Sequence, residues 1–339
     1  MIYPNFLKKG NTIGVPAPSA GCADYKHKTK IESAINKMTE AGYKIVTSDY
    51  IFNNEKSRSS SAENRGKELN QMFESEDIDF ITTASGGEFL VECLPYVDFE
   101  KIKNNPKFVQ GFSDPTGLLF PITTKYDIST IYGCNFGRYG IEDIAGDIKN
   151  NLNIISGNII EQNSYKKCEN WSVETEIDNP LAPYSLIDNV EWKVLNNTKA
   201  QIHGRVFAGC FECIVNILGT KYDGSKEFTE KYKEDGIVWI FDVYGISKED
   251  LIRYLWQMNE IGFFNYTSGV LFGRCGFDVS YEGYSMEEAL QDSVLAKMNF
   301  PVAFDVDITH RSPSMTIVNG SIVDIIVKEG KGKIIQSIK

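Results

Sequence analysis

A serine stands between two glycines in the segment GFSDPTG, residues 111–117, which precedes an apolar, helix-compatible run. A serine on a sharp turn from strand to helix exposes its hydroxyl, and the next amide points toward the position of an oxyanion. Ser113 is therefore a candidate nucleophile, with the amide of Asp114 beside it. The alternative is a helix cap or a turn, because Ser and Asp side chains commonly bond local backbone amides.

A second candidate loop, Ala84 to Glu88, follows a predicted strand at residues 78–83. Ligands of open α/β sheets bind outside the carboxyl ends of the strands. Gly86 and Gly87 would let the backbone approach a ligand and present an amide to it. We take Glu88, which follows them, as a candidate substrate-binding residue. A simple turn explains the two glycines equally well.

A hydroxyl nucleophile needs a base within hydrogen-bond reach, and the chain has 3 histidines to supply one. His27 lies in a Lys-rich segment typical of a solvated surface. His203 lies within an apolar strand pattern, which is typical of a structural histidine. His310 follows a predicted strand at residues 301–308 and is the candidate base by elimination.

A carboxylate usually orients such a base, and several acids are available in the second half of the chain. Asp242 ends a predicted strand at residues 237–241 and is one candidate. Asp305, Asp307 and Glu212 are rivals. The residues alone therefore indicate a serine hydrolase as one possibility and leave its acid open.

These candidate residues depend on elements whose pattern predicts an α/β fold. Short apolar strands alternate with amphipathic helices in the first half, which predicts a parallel sheet of the Rossmann or flavodoxin-like type. We expect an N-terminal α/β domain at residues 1–165 and a connecting segment at 166–197. Residues 198–339 form a predicted β-rich α/β C-terminal domain that carries Asp242 and His310.

Composition limits the classes of function. A net charge of −11 argues against affinity for nucleic acid or for an anionic membrane. No clustered His, Cys and Asp ligands are apparent, so neither a metal nor another cofactor is expected. The CxxC pair Cys210 and Cys213 lies in an apolar stretch, which favours buried helical cysteines over a redox or zinc motif. Scattered cysteines and the start of the chain indicate a cytoplasmic location.

Several segments together resemble the serine LD-carboxypeptidase family, which includes muramoyl-tetrapeptide carboxypeptidases and microcin C self-immunity hydrolases. The resemblance covers nearly the whole chain. It rests on six segments in the family's order: LKKGNTIGVPAPS, SGGEFLVECLPYVDF, NPKFVQGFSDPTGLL, GRVFAGCFECIVNILGTKYD, IRYLWQMNEIGFFNYTSGVLFGR and FPVAFDVDITHRSP.

The resemblance implies a catalytic role for three residues. Ser113 matches the family's nucleophile and His310 its base, while the backbone amides of Asp114 and of Gly86 or Gly87 match the oxyanion hole. Asp242 occupies the place of the family's triad Glu. This departure shortens the acid by one carbon–carbon bond, about 1.5 Å, which would leave His310 poorly oriented unless the backbone shifts.

Three functions follow from the resemblance. The first is a cytoplasmic LD-carboxypeptidase of peptidoglycan recycling that releases terminal D-Ala from a murein-derived peptide. The second is a self-immunity hydrolase that cleaves peptidyl or aminoacyl nucleotides, for which Trp171 or Trp192 would stack the base unless both are core residues. The third is a ligand-binding homologue weakened by Asp242. The family also implies a homodimer.

Overall fold

The computed structural model describes residues 1–142, 146–158, 161–170 and 179–338. It is a mixed α/β structure that divides into two compact units. One unit comprises Met1–Asn158 and Thr175–Tyr184, and the other comprises Ile159–Glu174 and Ser185–Lys339. Among the described residues, no helix is both long enough and apolar enough to span a membrane.

The first unit alternates strands and helices, as predicted. Its strands are β1 (Thr12–Val15), β2 (Lys44–Thr47), β3 (Phe80–Thr82), β4 (Phe108–Gly111) and β5 (Ile131–Tyr132). Its α-helices are α1 (Tyr25–Glu40), α2 (Ala62–Glu74), α3 (Phe99–Asn104), α4 (Thr116–Thr124) and α5 (Gly146–Ile155). Two 3₁₀ helices span Leu90–Tyr96 and Phe136–Gly140.

The five strands form a parallel sheet in the order β5-β4-β3-β1-β2. Strands β1, β3 and β4 are buried along their whole length, as expected for a sheet covered on both faces. Helix α1 buries the apolar stripe Ile31, Ala34 and Met38. The predicted parallel-sheet fold of the N-terminal part is confirmed.

The second unit is richer in strands, also as predicted. Its strands are β6 (Gln162–Asn163), β7 (Lys167–Glu169), β8 (Leu186–Asn189), β9 (Lys193–Val194), β10 (Lys199–Cys210), β11 (Ile237–Asp242), β12 (Thr267–Gly273), β13 (Val302–Val306), β14 (Ile317–Val318), β15 (Ile322–Lys328) and β16 (Lys331–Ser337). Its helices are α6 (Phe211–Ile217), α7 (Ser225–Lys231), α8 (Lys248–Glu260), α9 (Met286–Asp292) and a 3₁₀ turn at Val294–Lys297.

Eight of these strands form one mixed sheet in the order β6-β16-β15-β10-β11-β12-β13-β9. Strands β10 to β13 are mutually parallel, so their carboxyl ends meet at one edge. Strands β7 and β8 pair separately as an antiparallel ribbon. The segment predicted as a connection thus contains the ribbon and the edge strand β9 rather than irregular chain alone.

Candidate active site

Ser113 lies two residues beyond strand β4, on the turn that leads into helix α4. Its φ is +69°, a left-handed conformation that non-glycine residues adopt rarely and at an energetic cost. The Thr116 amide donates to the Ser113 carbonyl at 2.9 Å, which closes the turn. The side chain is only partly covered. This sharp, strained turn is the local geometry of a nucleophile elbow.

Two residues near strand β5 hold the elbow in place. The Asn135 side chain accepts from the Phe112 amide at 2.9 Å and donates to the Phe112 carbonyl at 3.1 Å. The Ser113 amide donates to the Tyr132 hydroxyl at 3.2 Å, and the rings of Tyr132 and Phe112 stack 5.0 Å apart. The sequence analysis did not identify Asn135 or Tyr132, and no local motif marks either residue.

The glycine loop lies beside the elbow. A Cβ on Gly86 would sit 3.2 Å from the Ser113 Cβ and 3.5 Å from its Oγ, so the absent side chain permits this approach. Gly87 has a φ of +154°, and a Cβ there would sit 2.4 Å from the Ser19 hydroxyl. Glu88, the predicted substrate-binding residue of this loop, is exposed.

Asp114 fastens this loop to the elbow through its side chain. The carboxylate is 3% exposed and accepts from the Leu90 amide at 2.9 Å and from the Ser19 hydroxyl. Burial raises the pKa of the Asp114 carboxyl, and these hydrogen bonds oppose that rise. The Ser113 turn and the Gly86-Gly87 loop are therefore held together by a buried acid as well as by direct packing.

Asp242 and His310 form a direct pair in the second unit. Asp242 ends β11 and is fully buried, and its Oδ1 lies 2.9 Å from the Nδ1 of His310 in the loop after β13. A proton on Nδ1 would donate to this carboxylate and leave Nε2 as the acceptor. The shorter acid therefore reaches the imidazole at ordinary hydrogen-bond distance, without the expected 1.5 Å shortfall.

The rival acids have other partners. Asp307 is buried and accepts from the Trp192 indole at 2.8 Å and from the Tyr165 amide at 3.0 Å, and it pairs with Arg274. Burial raises the pKa of Asp307, while Arg274 and the hydrogen bonds oppose that rise.

Asp305 pairs with Lys193 at 3.0 Å. Glu212 accepts from three backbone amides of the loop after β11. Among the four acids considered, Asp242 is the one that pairs with His310.

The other histidines are on exposed surfaces. His27 is 59% exposed and pairs with Asp24, the residue that caps helix α1. His203 is 58% exposed and pairs with Asp324 across the β10–β15 ladder, 2.7 Å from its carboxylate. The apolar strand pattern around His203 was real, but His203 occupies the solvent face of that strand.

Trp192 lies in the core, which is one of the two alternatives considered for it. Trp192 is 1% exposed, and its ring lies flat against Gly332, where a Cβ would come within 1.9 Å of the ring. Its buried indole bonds Asp307, so Trp192 is a core residue with no face on which a base could stack. Trp171 lies outside the described residues.

The cysteines lie mostly within the packed structure. Cys210 is buried at the end of β10, where a hydrogen bond with Cys213 and burial raise the pKa of its thiol well above the ordinary value. In the described part of the chain, no group of three or more His, Cys, Asp or Glu could hold a metal ion.

The chain has a mixed α/β fold, and comparison with known proteins gives its family. Residues 13–133 match the LD-carboxypeptidase N-terminal domain and residues 203–325 match the LD-carboxypeptidase C-terminal domain. The chain belongs to this peptidase family, which is a family of hydrolases.

Curated relatives extend the match to nearly full length. The microcin C7 self-immunity protein MccF of Escherichia coli is 26% identical over 324 residues, covering 93% of this chain and 90% of MccF. A Vibrio cholerae protein named as a carboxypeptidase is 25% identical, covering 93% and 92%. A Bacillus subtilis protein named as a murein peptide carboxypeptidase is 23% identical, covering 94% and 89%.

Solved structures share the fold. MccF in complex with glutamyl sulfamoyl guanosine superposes with a TM-score of 0.82 at 22% identity, covering 100% of this chain and 99% of that one. Muramoyltetrapeptide carboxypeptidase from Oxalobacter formigenes gives a TM-score of 0.74 at 15% identity, covering 97% and 99%. The predicted combination of a parallel N-terminal sheet and a β-rich C-terminal part is confirmed by these matches.

Proposed function

We propose that this protein is a serine hydrolase that cleaves the L,D-amide of a murein-derived peptide and releases its terminal D-residue. Ser113 is the nucleophile, His310 the base and Asp242 the acid that orients it. The observation that carries the proposal is the 2.9 Å contact between His310 and a fully buried Asp242. This contact supports a working triad with Asp in place of the family's Glu.

The reaction proceeds by acyl transfer. The Nε2 of His310 takes the Ser113 proton as the serine oxygen attacks the amide carbonyl, and His310 then gives that proton to the leaving amine. Water, deprotonated by His310, releases the acyl group from Ser113. The buried Asp242 stabilises the imidazolium in both steps and keeps the proton on Nδ1.

The oxyanion is held by backbone amides, those of Asp114 and of Gly86 or Gly87. The packing of Gly86 against Ser113 and the anchoring of the loop by the Asp114 carboxylate support this assignment. Amides fixed before the reaction stabilise developing charge without reorganising, and one such donor is worth about 10²–10³ in rate.

A second candidate is hydrolysis of peptidyl or aminoacyl nucleotides, because MccF is 26% identical over almost the whole chain. The same Ser113, His310 and Asp242 chemistry would serve it. The burial of Trp192 removes one of the two aromatic platforms considered for the base, and this favours the peptide substrate.

The test is turnover of both substrates by purified protein, followed by mass spectrometry. Release of D-Ala from a muramyl tetrapeptide, abolished in Ser113→Ala, is the expected result. Turnover of an aminoacyl sulfamoyl adenylate alone would overturn the peptide assignment. If a fluorophosphonate failed to label Ser113 in folded protein, the third function, a non-catalytic ligand-binding homologue, would replace the hydrolase.

A further inference from the structure

Glu212 is the second residue of helix α6, and its carboxylate binds the loop that follows the acid Asp242. A single carboxylate oxygen accepts from three consecutive backbone amides, those of Tyr244 at 3.0 Å, Gly245 at 2.8 Å and Ile246 at 3.1 Å. The other oxygen accepts from the buried Cys210 thiol at 3.3 Å. A carboxylate that collects three amides makes strong, charge-assisted bonds. Two further bonds hold the same loop, from the Gly276 amide to the Val243 carbonyl at 3.0 Å and from the Phe277 amide to the Tyr244 carbonyl at 2.7 Å.

The loop held by Glu212 carries an aromatic ring against the histidine. The centroids of the Tyr244 and His310 rings are 4.7 Å apart at an interplanar angle of 51°. Phe277 packs edge-on against Tyr244, with the ring centroids 5.4 Å apart. The imidazole is thus fixed by Asp242 at Nδ1 and by Tyr244 against its ring.

A hydrogen bond at Nδ1 does not by itself fix the plane of an imidazole, because the χ1 and χ2 torsions of the side chain can still change. A ring in contact with the imidazole restricts these torsions, and a misplacement of about 1 Å at a reacting group can cost about 10²-fold in rate. The Tyr244 ring is 40% exposed, so surrounding side chains constrain it only in part. Its backbone is held by the Glu212 carboxylate on one side and by the Phe277 amide on its carbonyl.

We propose that Glu212 is a positioning residue of the hydrolase: it fixes the Tyr244 loop, and through Tyr244 it holds His310 in the orientation needed for proton transfer. The inference rests on the proposed function and deepens it. Glu212 acts through another residue and touches neither substrate nor reacting atoms. It was one of the rival acids for His310, and its three bonds to the Tyr244 loop give it this different role.

The kinetic test compares Glu212→Ala, Tyr244→Ala and the double variant. Each single variant should lower kcat about 10- to 100-fold with little change in KM, because the imidazole is displaced while the substrate contacts remain. The double variant should lose no more than the larger single loss, since both changes remove one linkage. Tyr244→Phe keeps the ring and should recover most of the rate lost in Tyr244→Ala.

Asp223→Ala is the matched control. Asp223 also holds a loop by accepting backbone amides, those of Gly219 and Ser225 at 2.9 Å each, but that loop follows the far end of helix α6. This variant should lose stability and keep kcat within about threefold of wild type. If Glu212→Ala does not fold, Glu212→Gln replaces it in the experiment, because the amide keeps an acceptor oxygen. The kcat of Glu212→Gln should lie between those of Glu212→Ala and wild type.

A spectroscopic readout separates this inference from the proposed function. The chain has 3 histidines, so ¹⁵N-histidine labelling gives three ring systems, and the pattern of His310 should shift or broaden in Glu212→Ala but stay unchanged in Asp223→Ala. Unaltered His310 signals, a kcat within threefold of wild type, or additive losses in the double variant would each overturn the role of Glu212. If wild type hydrolyses neither substrate, the proposed function fails, and the His310 spectrum alone decides whether Glu212 positions the ring.

Discussion

Asp242 pairs with His310 although it is shorter than the Glu expected at its position. Its carboxylate is fully buried and lies 2.9 Å from His310, so the shorter side chain reaches the imidazole from this position of the backbone. Side-chain length and backbone position therefore have to be considered together. The consequence is that restoring the family's residue at this position alone need not restore the family's geometry.

Asp242→Glu should lower kcat about 10-fold or more, because an added methylene in a packed site costs about 1–3 kcal/mol and displaces the imidazole. Asp242→Asn should cost about 10⁴, since the neutral amide no longer stabilises the imidazolium or its tautomer. Steady-state hydrolysis measures both. Asp235→Glu, a partly exposed acid that pairs with Arg205, is the control and should retain wild-type kcat. A higher kcat for Asp242→Glu than for wild type would contradict this expectation.

Ser113 stores backbone strain that can be measured without any substrate. Ser113→Gly should be more stable than Ser113→Ala by about 1 kcal/mol, because glycine adopts the left-handed φ of +69° without a Cβ penalty. Both variants remove the hydroxyl, so their difference isolates the conformation. Urea unfolding measures it, and equal stabilities would show that the turn is unstrained.

At the level of elements, periodicity predicted the alternating strands and helices of the first unit and the β-rich second unit. Loops at the carboxyl ends of strands were equally predictable, which is why Ser113 and Gly86 could be proposed as site residues. The contacts that hold those loops could not be predicted from the sequence. Asn135 and Glu212 bond backbone groups distant in sequence, and nothing in the local composition reveals such a partner. The residue pattern alone left the acid open among four residues, and only the family resemblance indicated Asp242.

The two hydrogen bonds between the Asn135 side chain and the Phe112 backbone should be required for the shape of the turn at Ser113. Asn135→Ala leaves the amide and carbonyl of Phe112 without these partners, so it should destabilise the fold by about 1–3 kcal/mol. The rate at which a fluorophosphonate labels Ser113 should fall as well. Asn105→Ala, at the exposed end of helix α3, should change neither quantity. Unchanged labelling in Asn135→Ala would show that the turn at Ser113 keeps its shape without Asn135.

For the whole molecule, carboxyl groups with shifted pKa values make the free energy of unfolding depend on pH. Glu249 is one such carboxyl group. Desolvation raises the pKa of this carboxyl, but hydrogen bonds from Ser280 and from the amides of Tyr281 and Glu282 outweigh it and lower the pKa to about 2. A depressed carboxyl pKa stabilises the fold above the unfolded value and loses that effect as the pH falls toward the folded one.

Wild type should therefore exceed Glu249→Gln in stability at pH 6, and the gap should close as the pH approaches about 2. Thermal unfolding at a series of pH values measures the gap. Glu234→Gln, at an exposed position, is the control and should follow wild type throughout. A gap that stays constant with pH would mean that Glu249 contributes through packing rather than through its charge.

The division of the chain also limits how its gene can be recombined. The first unit continues beyond residue 165: the Glu142 amide donates to the Leu181 carbonyl at 2.8 Å, and the Arg138 guanidinium lies 4.0 Å from the Tyr184 ring centre. A crossover at the expected domain boundary would separate these partners. Neither unit is encoded by one uninterrupted stretch, so a single crossover between residues 142 and 181 leaves the first unit with parts from two parents.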